Sequence, residues 1–462
     1  MSRLLFISLI LTGQFTWAQF NPSTVLFGVE YTFQDREMVN EPGRSTLSTP
    51  YKEAKVREVV ENLRRLLELP PSAIEVKTSW KPGLYLRVPG DGAWVINSEP
   101  VTIEINTPPR RIDQLVETAR PIFAATRRAG LQAYVQPAAE RSGMGHIHIG
   151  ARNMAENPFF ANPLLLRNVM VYLHKRPSLL HGFAEAFDIG IGSNIETYHE
   201  EARQRVFERV VTEFDRWYLS ASEGERQSQG FNKFLGLLAR HDSALTGFFE
   251  HYRFLNLEHV KEGTYRPFQP TDTGKLTVEF RNFRPPKDPE TTRAFAELLM
   301  AIMERQSREG HREVFEWVPA ERYHRFNTAS VVRVDWERAR AELGLNIPQL
   351  DQQIREYTAA VERFTFLSPR LPGARVFLAH SRKDDKGRLH EIRIPTRGQG
   401  QPELRIGQQV IEMEWLFMRG RSYWSGVLDL SRAGVSLDDL RNGSAESEFR
   451  WKPLSCARAL GF

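Results

Sequence analysis

Four short segments carry residues able to bind hard cations and anionic groups. They are GVEYTFQ (28–34), VTIEINT (101–107), HIHIG (146–150) and LTVEFRNF (276–283). If each is a strand, alternation sorts its side chains onto two faces. Glu30, Thr32 and Gln34 then oppose Val29, Tyr31 and Phe33; Thr102, Glu104 and Asn106 oppose Val101, Ile103 and Ile105. His146 and His148 oppose Ile147 and Ile149, and Thr277, Glu279 and Arg281 oppose Leu276, Val278 and Phe280. Carboxylates and imidazoles hold divalent cations, and a guanidinium clamps phosphate oxygens. Any one strand of this kind is an ordinary half-exposed strand. Four with Glu, Glu, His-x-His and Glu-x-Arg in place of mixed Lys, Ser and Gln point to one shared face with chemistry.

Other sources of a His-x-His pair fit poorly. A cupin-type barrel requires a nearby Glu and a later His on a strand, and Glu156 falls too far along. A metal-dependent barrel hydrolase requires alternating strands and helices, against the long helical stretch that follows His148. The glycine-rich IGIGSN (189–194) has no strand before it and reads as a turn; no GxSxG or P-loop occurs. The only cysteine, Cys456, excludes an intrachain disulfide and a Cys-rich zinc site, so a metal must be held by His, Asp and Glu.

The elements that position these segments are legible in outline. Strand-like LFGVEYTF (26–33) is followed by a helical pattern over 51–68, with Val56, Val59, Val60, Leu63, Leu66 and Leu67 on one side. Four β-like runs follow at 73–79, 83–88, 93–97 and 101–107, separated by turn residues, which is the pattern of an antiparallel meander. A helix is expected over 112–128, β-like pieces at 132–138 and 145–150, helical spacing from Pro163 to about Arg253, the strand at 276–283 and a helix over 291–309. The expected class is α+β, an antiparallel sheet with helices on one face and a helical insertion. Residues 320–462 read as an appended α/β region, with a helix over 347–364 and β-like pieces at 374–380, 390–395 and 408–417. RKDDKGR and TRGQGQP read as exposed turns.

Composition narrows the function classes. The chain has 462 residues, 41% hydrophobic and 26% charged, as expected of a globular protein. Its 62 Lys+Arg against 57 Asp+Glu give only +5, with no long basic block interleaved with aromatics, so nucleic acid is not an expected partner. Residues 1–18, MSRLLFISLILTGQFTWA, read as a signal peptide: Arg3, an apolar run, then Thr16 and Ala18 at small-residue positions. Export to the periplasm or medium is expected, with no membrane span after cleavage. Oligomeric state is not legible.

In order along the chain, GVEYTF, DGAW…VTIEINTPP (from Asp91), SGMGHIHIG, YRFLNL (252–257) and LTVEFRNF resemble the signatures of the amidoligases. These belong to the carboxylate-amine ligase superfamily that includes glutamine synthetase and glutamate-cysteine ligase. The resemblance covers about 25–310 and implies a catalytic domain there. It implies a curved antiparallel sheet of the glutamine-synthetase type, with helices on its convex face. Its concave face would bind ATP and Mg2+ (or Mn2+), and a peptide or amino acid carboxylate would be joined to an amine through an acyl phosphate. It implies Glu30, Glu104, His148 and Glu279 as metal ligands, Glu279 and Arg281 as catalytic, with Arg281 the phosphate clamp, and Arg253, Asn256 and His146 in nucleotide or substrate contacts. One departure stands out: the family's second acidic residue, two positions after the first, is here Thr32. Export also sits poorly with ATP. This leaves open an exported derivative that binds, or hydrolyses with a metal, a peptide or cell-wall amide.

Overall fold

The computed structural model describes residues 20–35, 37–38, 49–76, 83–99, 102–133, 145–152, 156–184, 201–242, 244–245, 255–257, 260, 277–318, 328–364, 377–380, 389–395, 401–418, 421–436, 439 and 445–452. Residues 1–18, expected to be a signal peptide, and Arg253 lie outside them.

The fold combines helices with an open, curved antiparallel sheet of eight strands. In chain order these are β1 (Leu26–Phe33), β2 (Ile74–Val76), β3 (Gly83–Val88), β4 (Gly92–Glu99), β5 (Thr102–Asn106), β6 (Gly145–Gly150), β7 (Leu255–Asn256) and β8 (Val278–Phe283). Their order across the sheet is β2-β3-β4-β5-β1-β6-β8-β7. The first strand to form in sequence is thus central, flanked by β5 and β6, which brings distant segments beside Glu30.

Local sequence explains the helices that cover the apolar face. Helix α1 (Pro50–Leu66) starts where Thr49 accepts a hydrogen bond from the Lys52 amide and Pro50 occupies the first turn. Its Val56, Val59, Val60 and Leu63 are fully buried. Helix α2 (Leu115–Arg128) brings Phe123 edge-on to Tyr31 and Phe33, with ring centroids 6.1 and 5.3 Å apart. Tyr31 and Phe33 therefore point away from Glu30, as alternation requires.

The helical stretch after β6 is broken rather than continuous. It contains α3 (Leu165–His174), α4 (Pro177–His181), α5 (Glu201–Ser220) and α6 (Glu223–Arg240). Pro177 starts a new helix because it lacks an N–H for an ongoing ladder. Helix α7 (Pro289–Gln306), capped by Asp288, follows β8 and packs Phe295 on Phe283 at 4.8 Å.

Helices α8 (Thr328–Leu343) and α9 (Pro348–Phe364) share the core of the sheet through Val332, Trp336, Leu350, Ile354 and Tyr357. Arg176 pairs with Glu342 at 2.6 Å, and the Ser178 hydroxyl donates to Asp335 at 2.6 Å, tying α4 to α8. The sequence pattern does not predict α8, whose apolar residues Val332, Trp336 and Ala339 are spread among charges. A second core gathers Ile392, Leu404, Ile406, Ile411, Met413, Trp424 and Leu428 within short strands from β9 (Phe377–His380) to β15 (Ser447–Lys452). The single strand expected at 408–417 is two, Gln409–Ile411 and Glu414–Met418, and residues 401–402 of the expected turn begin the strand Gln401–Ile406. Strands Arg421–Asp429 and Ser447–Lys452 are additions to the sequence reading. The β-like piece expected at 132–138 is described only in part, as a Gln34–Gln132 bridge, and the strand Leu255–Asn256 is an addition to the sequence expectations. Among the described residues no helix is long and apolar enough to cross a membrane.

One buried group makes the fold acid-sensitive. His174 stacks on Phe315 at 4.9 Å and is fully buried, which pushes its imidazole down to about 4. The unfolded imidazole titrates near 6.5. The unfolded chain therefore binds the proton first, so this contribution is complete above pH 6.5 and lost as pH falls toward 4. Urea unfolding at pH 7.5 and pH 5 should show about 2 kcal/mol of this loss in the wild type, and His174→Phe should remove that share of the pH dependence. An equal pH slope in the variant would contradict the assignment.

Candidate active site

The register of the central strands places the polar side chains in rows on one face. Glu30 pairs with Asn106 of β5 and with His146 of β6. One step along, Thr32 pairs with Glu104, which in turn pairs with Asn97 of β4. In the other direction Gly28 pairs with His148, His148 with Glu279, and Glu279 with Asn256. Directly opposed residues of antiparallel strands point the same way. Glu30, Glu104, His148 and Glu279 consequently share one face despite their separation in sequence.

Within that face a tight cluster forms. His146 Nδ1 donates to Glu30 Oε2 at 2.6 Å, and His148 Nε2 lies 3.1 Å from Glu30 Oε1. Glu279 Oε1 is 3.4 Å from His146 Nδ1 and 3.8 Å from His148 Nε2. Arg281 donates to Glu279 Oε1, and Asn256 Nδ2 donates to Glu279 Oε2 at 2.7 Å. His148 Nδ1 faces the Thr277 hydroxyl at 3.2 Å. His146, His148, Asn256, Glu279 and Arg281 are all buried.

A bulge interrupts the pairing beside the arginine. Gly145 pairs with Phe283 but Ile147 pairs with Phe280, so β8 has one residue more than β6 across this stretch. Arg281 shares the face of Glu279 by alternation, while Asn282 donates to the carbonyls of Leu179 and Leu180 at the end of α4, at 3.0 and 3.3 Å.

Electrostatics favour ionised carboxylates here. Burial alone would raise the Glu30 carboxyl, but the imidazoles of His146 and His148 hold it well below the usual carboxylate range. For Glu279 burial likewise pushes up, and His146, Arg281 and His148 together outweigh both burial and the repulsion of Glu30.

The donor set fits a divalent cation. One ligand atom from each of Glu30, His148 and Glu279 lies within 4.8 Å of the others, the only such group among the described residues. Donors around a single ion with bonds of about 2.0–2.3 Å sit roughly 3–4.5 Å apart, so small side-chain adjustments suffice. With the cation on His148 Nε2, Nδ1–H is left to donate to Thr277, the supporting contact that ligating histidines use. Two carboxylates with an imidazole suit Mn2+ somewhat better than Mg2+, which prefers oxygen alone.

Glu104 stands apart from this group. Its Oε1 accepts from Asn106 Nδ2 at 2.6 Å, one row from Glu30. Thr32, which opposes it, has a buried hydroxyl with no hydrogen-bond partner. Asn97, on a strand whose faces the sequence reading did not sort, completes this row, and strict alternation along AWVIN would have found it. The Asp91 of DGAW has a structural part as well: it accepts from the Trp94 indole at 2.6 Å and pairs with Arg110, closing the β3–β4 turn.

Residues 92–229 match a family model described as "Putative amidoligase enzyme". Over that segment the chain is similar to the amidoligases. The segment contributes Glu104, His146 and His148, while Glu30, Asn256, Glu279 and Arg281 join the same face from outside the matched stretch. Among curated proteins no match was found.

Proposed function

We propose that this chain is an ATP-dependent carboxylate-amine ligase built on a glutamine-synthetase-like sheet. It would join a peptide or amino acid carboxylate to an amine. The observation that carries the reading is the Glu30, His148 and Glu279 donor group with Arg281 beside it on one buried face. The amidoligase-like segment, which supplies β4, β5 and β6, supports ligase chemistry.

In the proposed reaction a substrate carboxylate oxygen attacks the γ-phosphorus of ATP, releasing ADP and leaving an acyl phosphate. The amine then attacks the acyl carbon, phosphate leaves, and the amine proton passes to a base or water. Glu30, His148 and Glu279 would hold Mg2+ or Mn2+, with Glu104 a further candidate ligand. The cation, when bound, supplies charge neutralisation on the phosphoryl oxygens. Arg281 presents its guanidinium to the same oxygens and is fixed by Glu279. Asn256 orients Glu279, and His146 orients Glu30. Arg253, outside the described residues, is proposed to contact nucleotide or substrate. The partners are small molecules or peptides, with no nucleic acid and no lasting membrane insertion.

A second reading draws on residues 1–18, whose pattern is that of an export signal. An exported protein meets little ATP, and the same donor group would then bind, or activate water against, a peptide or cell-wall amide. Calorimetric titration of ATP with Mg2+ or Mn2+ into the protein from Gln19 onward separates the two. Cation-dependent ATP binding is expected. Cation binding without any ATP heat, together with amine release from a peptide amide, would replace the ligase by the hydrolase.

A further inference from the structure

Three buried carboxamides, those of Gln204, Gln409 and Asn168, pair with backbone amide groups. Gln204 Nε2 donates to the Val318 carbonyl at 2.7 Å while its Oε1 accepts from the Val318 N–H at 2.9 Å. Gln409 does the same for neighbouring strand residues, donating to the Val427 carbonyl at 3.0 Å and accepting from the Asp429 N–H at 2.8 Å. Asn168 accepts from the Glu313 N–H at 3.0 Å and donates to the carbonyls of Gln306 and His311.

Gln34 departs from this pattern. Its backbone is held in both directions by Gln132, at 2.8 Å each way, and its side chain is 0% exposed. Yet neither Nε2 nor Oε1 has a hydrogen-bond partner, and among the described residues it is the only buried carboxamide with both atoms unpaired. Two residues earlier the Thr32 hydroxyl is in the same condition. Phe33 between them points onto Phe123, so Thr32 and Gln34 face the side that carries Glu30. A buried carboxamide left unpaired costs free energy that a ligand amide would recover.

We infer that Gln34, with Thr32, forms a subsite that takes a backbone amide of the substrate as Gln204 takes that of Val318. The consequence concerns substrate size. A strand rises about 3.3 Å per residue, which sets Gln34 about 13 Å along β1 from Glu30. A free amino acid whose carboxylate lies at the Glu30 cluster cannot reach it. An extended peptide advances at most about 3.5 Å per residue, so the amide at Gln34 belongs three or four residues from the reacting carboxylate. The substrate is therefore an oligopeptide. Only the position of the reacting carboxylate rests on the ligase reading.

The test is calorimetric titration of the full chain with acetyl-tetraalanine and with acetyl-alanine, both bearing a free carboxylate, with and without Mn2+. The wild type should bind the tetrapeptide at least about tenfold more tightly, a ratio within reach of two hydrogen bonds to a buried group. Gln34→Leu should bring the two peptides within about threefold, leave Mn2+ affinity unchanged and melt no lower than the wild type. Thr32→Val should narrow the preference less, and it decides the matter if Gln34→Leu does not fold. Equal affinities in the wild type, or a length preference that survives in both folded variants, would overturn the subsite. A tetrapeptide preference without Mn2+ binding would keep the subsite and overturn the ligase reading; Mn2+ binding without the preference would do the reverse.

Discussion

Replacing Glu279 with Ala should destabilise the protein by about 3–5 kcal/mol, the usual result of removing one member of a buried ion pair. Arg281 is 3% exposed and its donor Nη1 is directed at Glu279 Oε1, while its Nε already lacks a partner. Without the carboxylate, the guanidinium is left in a low-dielectric site whose remaining anion, Glu30, is engaged by two imidazoles. Glu279→Gln keeps one oxygen to accept from Arg281, its NH2 being accommodated if the Asn256 carboxamide flips to accept, and should lose less, about 1–3 kcal/mol. Urea unfolding measures both. If Glu279 holds a cation, Mn2+ should raise the Tm of the wild type and of neither variant. An Ala variant as stable as the wild type would mean that Arg281 finds another anion, and the proposed clamp geometry would fall with it.

Thr32→Glu tests the position two residues after Glu30, where a second carboxylate would share its strand face. Thr32 is 5% exposed and directly opposite Glu104, so the new carboxylate would sit with its Cβ about 4.5–5.5 Å from that of Glu104. In chelator, two buried carboxylates side by side should cost about 3 kcal/mol or more. The same pair offers oxygens to a cation, and at a Mn2+ concentration 100 times Kd, binding returns about 2.7 kcal/mol. The variant should accordingly unfold early in chelator, recover with Mn2+, and bind Mn2+ or Mg2+ more tightly than the wild type. Thr32→Val removes a hydroxyl that bonds to nothing and should be close to neutral. Equal instability of Thr32→Glu with and without Mn2+ would show that the Thr32–Glu104 row holds no cation.

The polar face itself was legible from period-two alternation, because strand geometry sends Glu30, Glu104, His148 and Glu279 away from Tyr31, Ile103, Ile147 and Phe280 whatever else the chain does. The helices over 50–66, 115–128 and 289–306 were legible too, since their apolar repeats and caps are local signals. Helix 328–343 was not, because its few apolar residues gain their meaning only by entering the core beside α4. Neighbour relations across the sheet were likewise beyond the sequence. Alternation says which way Glu104 points but not which strand lies beside it, and the pairing of β1 with β5 and β6 is what leaves Glu104 a row apart while His146 and His148 close on Glu30. Alternation likewise puts Arg281 beside Glu279, but the bulge opposite His146, which shifts the register of β8 against β6, is encoded by no local pattern. Residue types and their faces are set by covalent geometry over a few residues; distances between 30, 148 and 279 are set by backbone pairing across more than a hundred residues, which only the folded sheet decides.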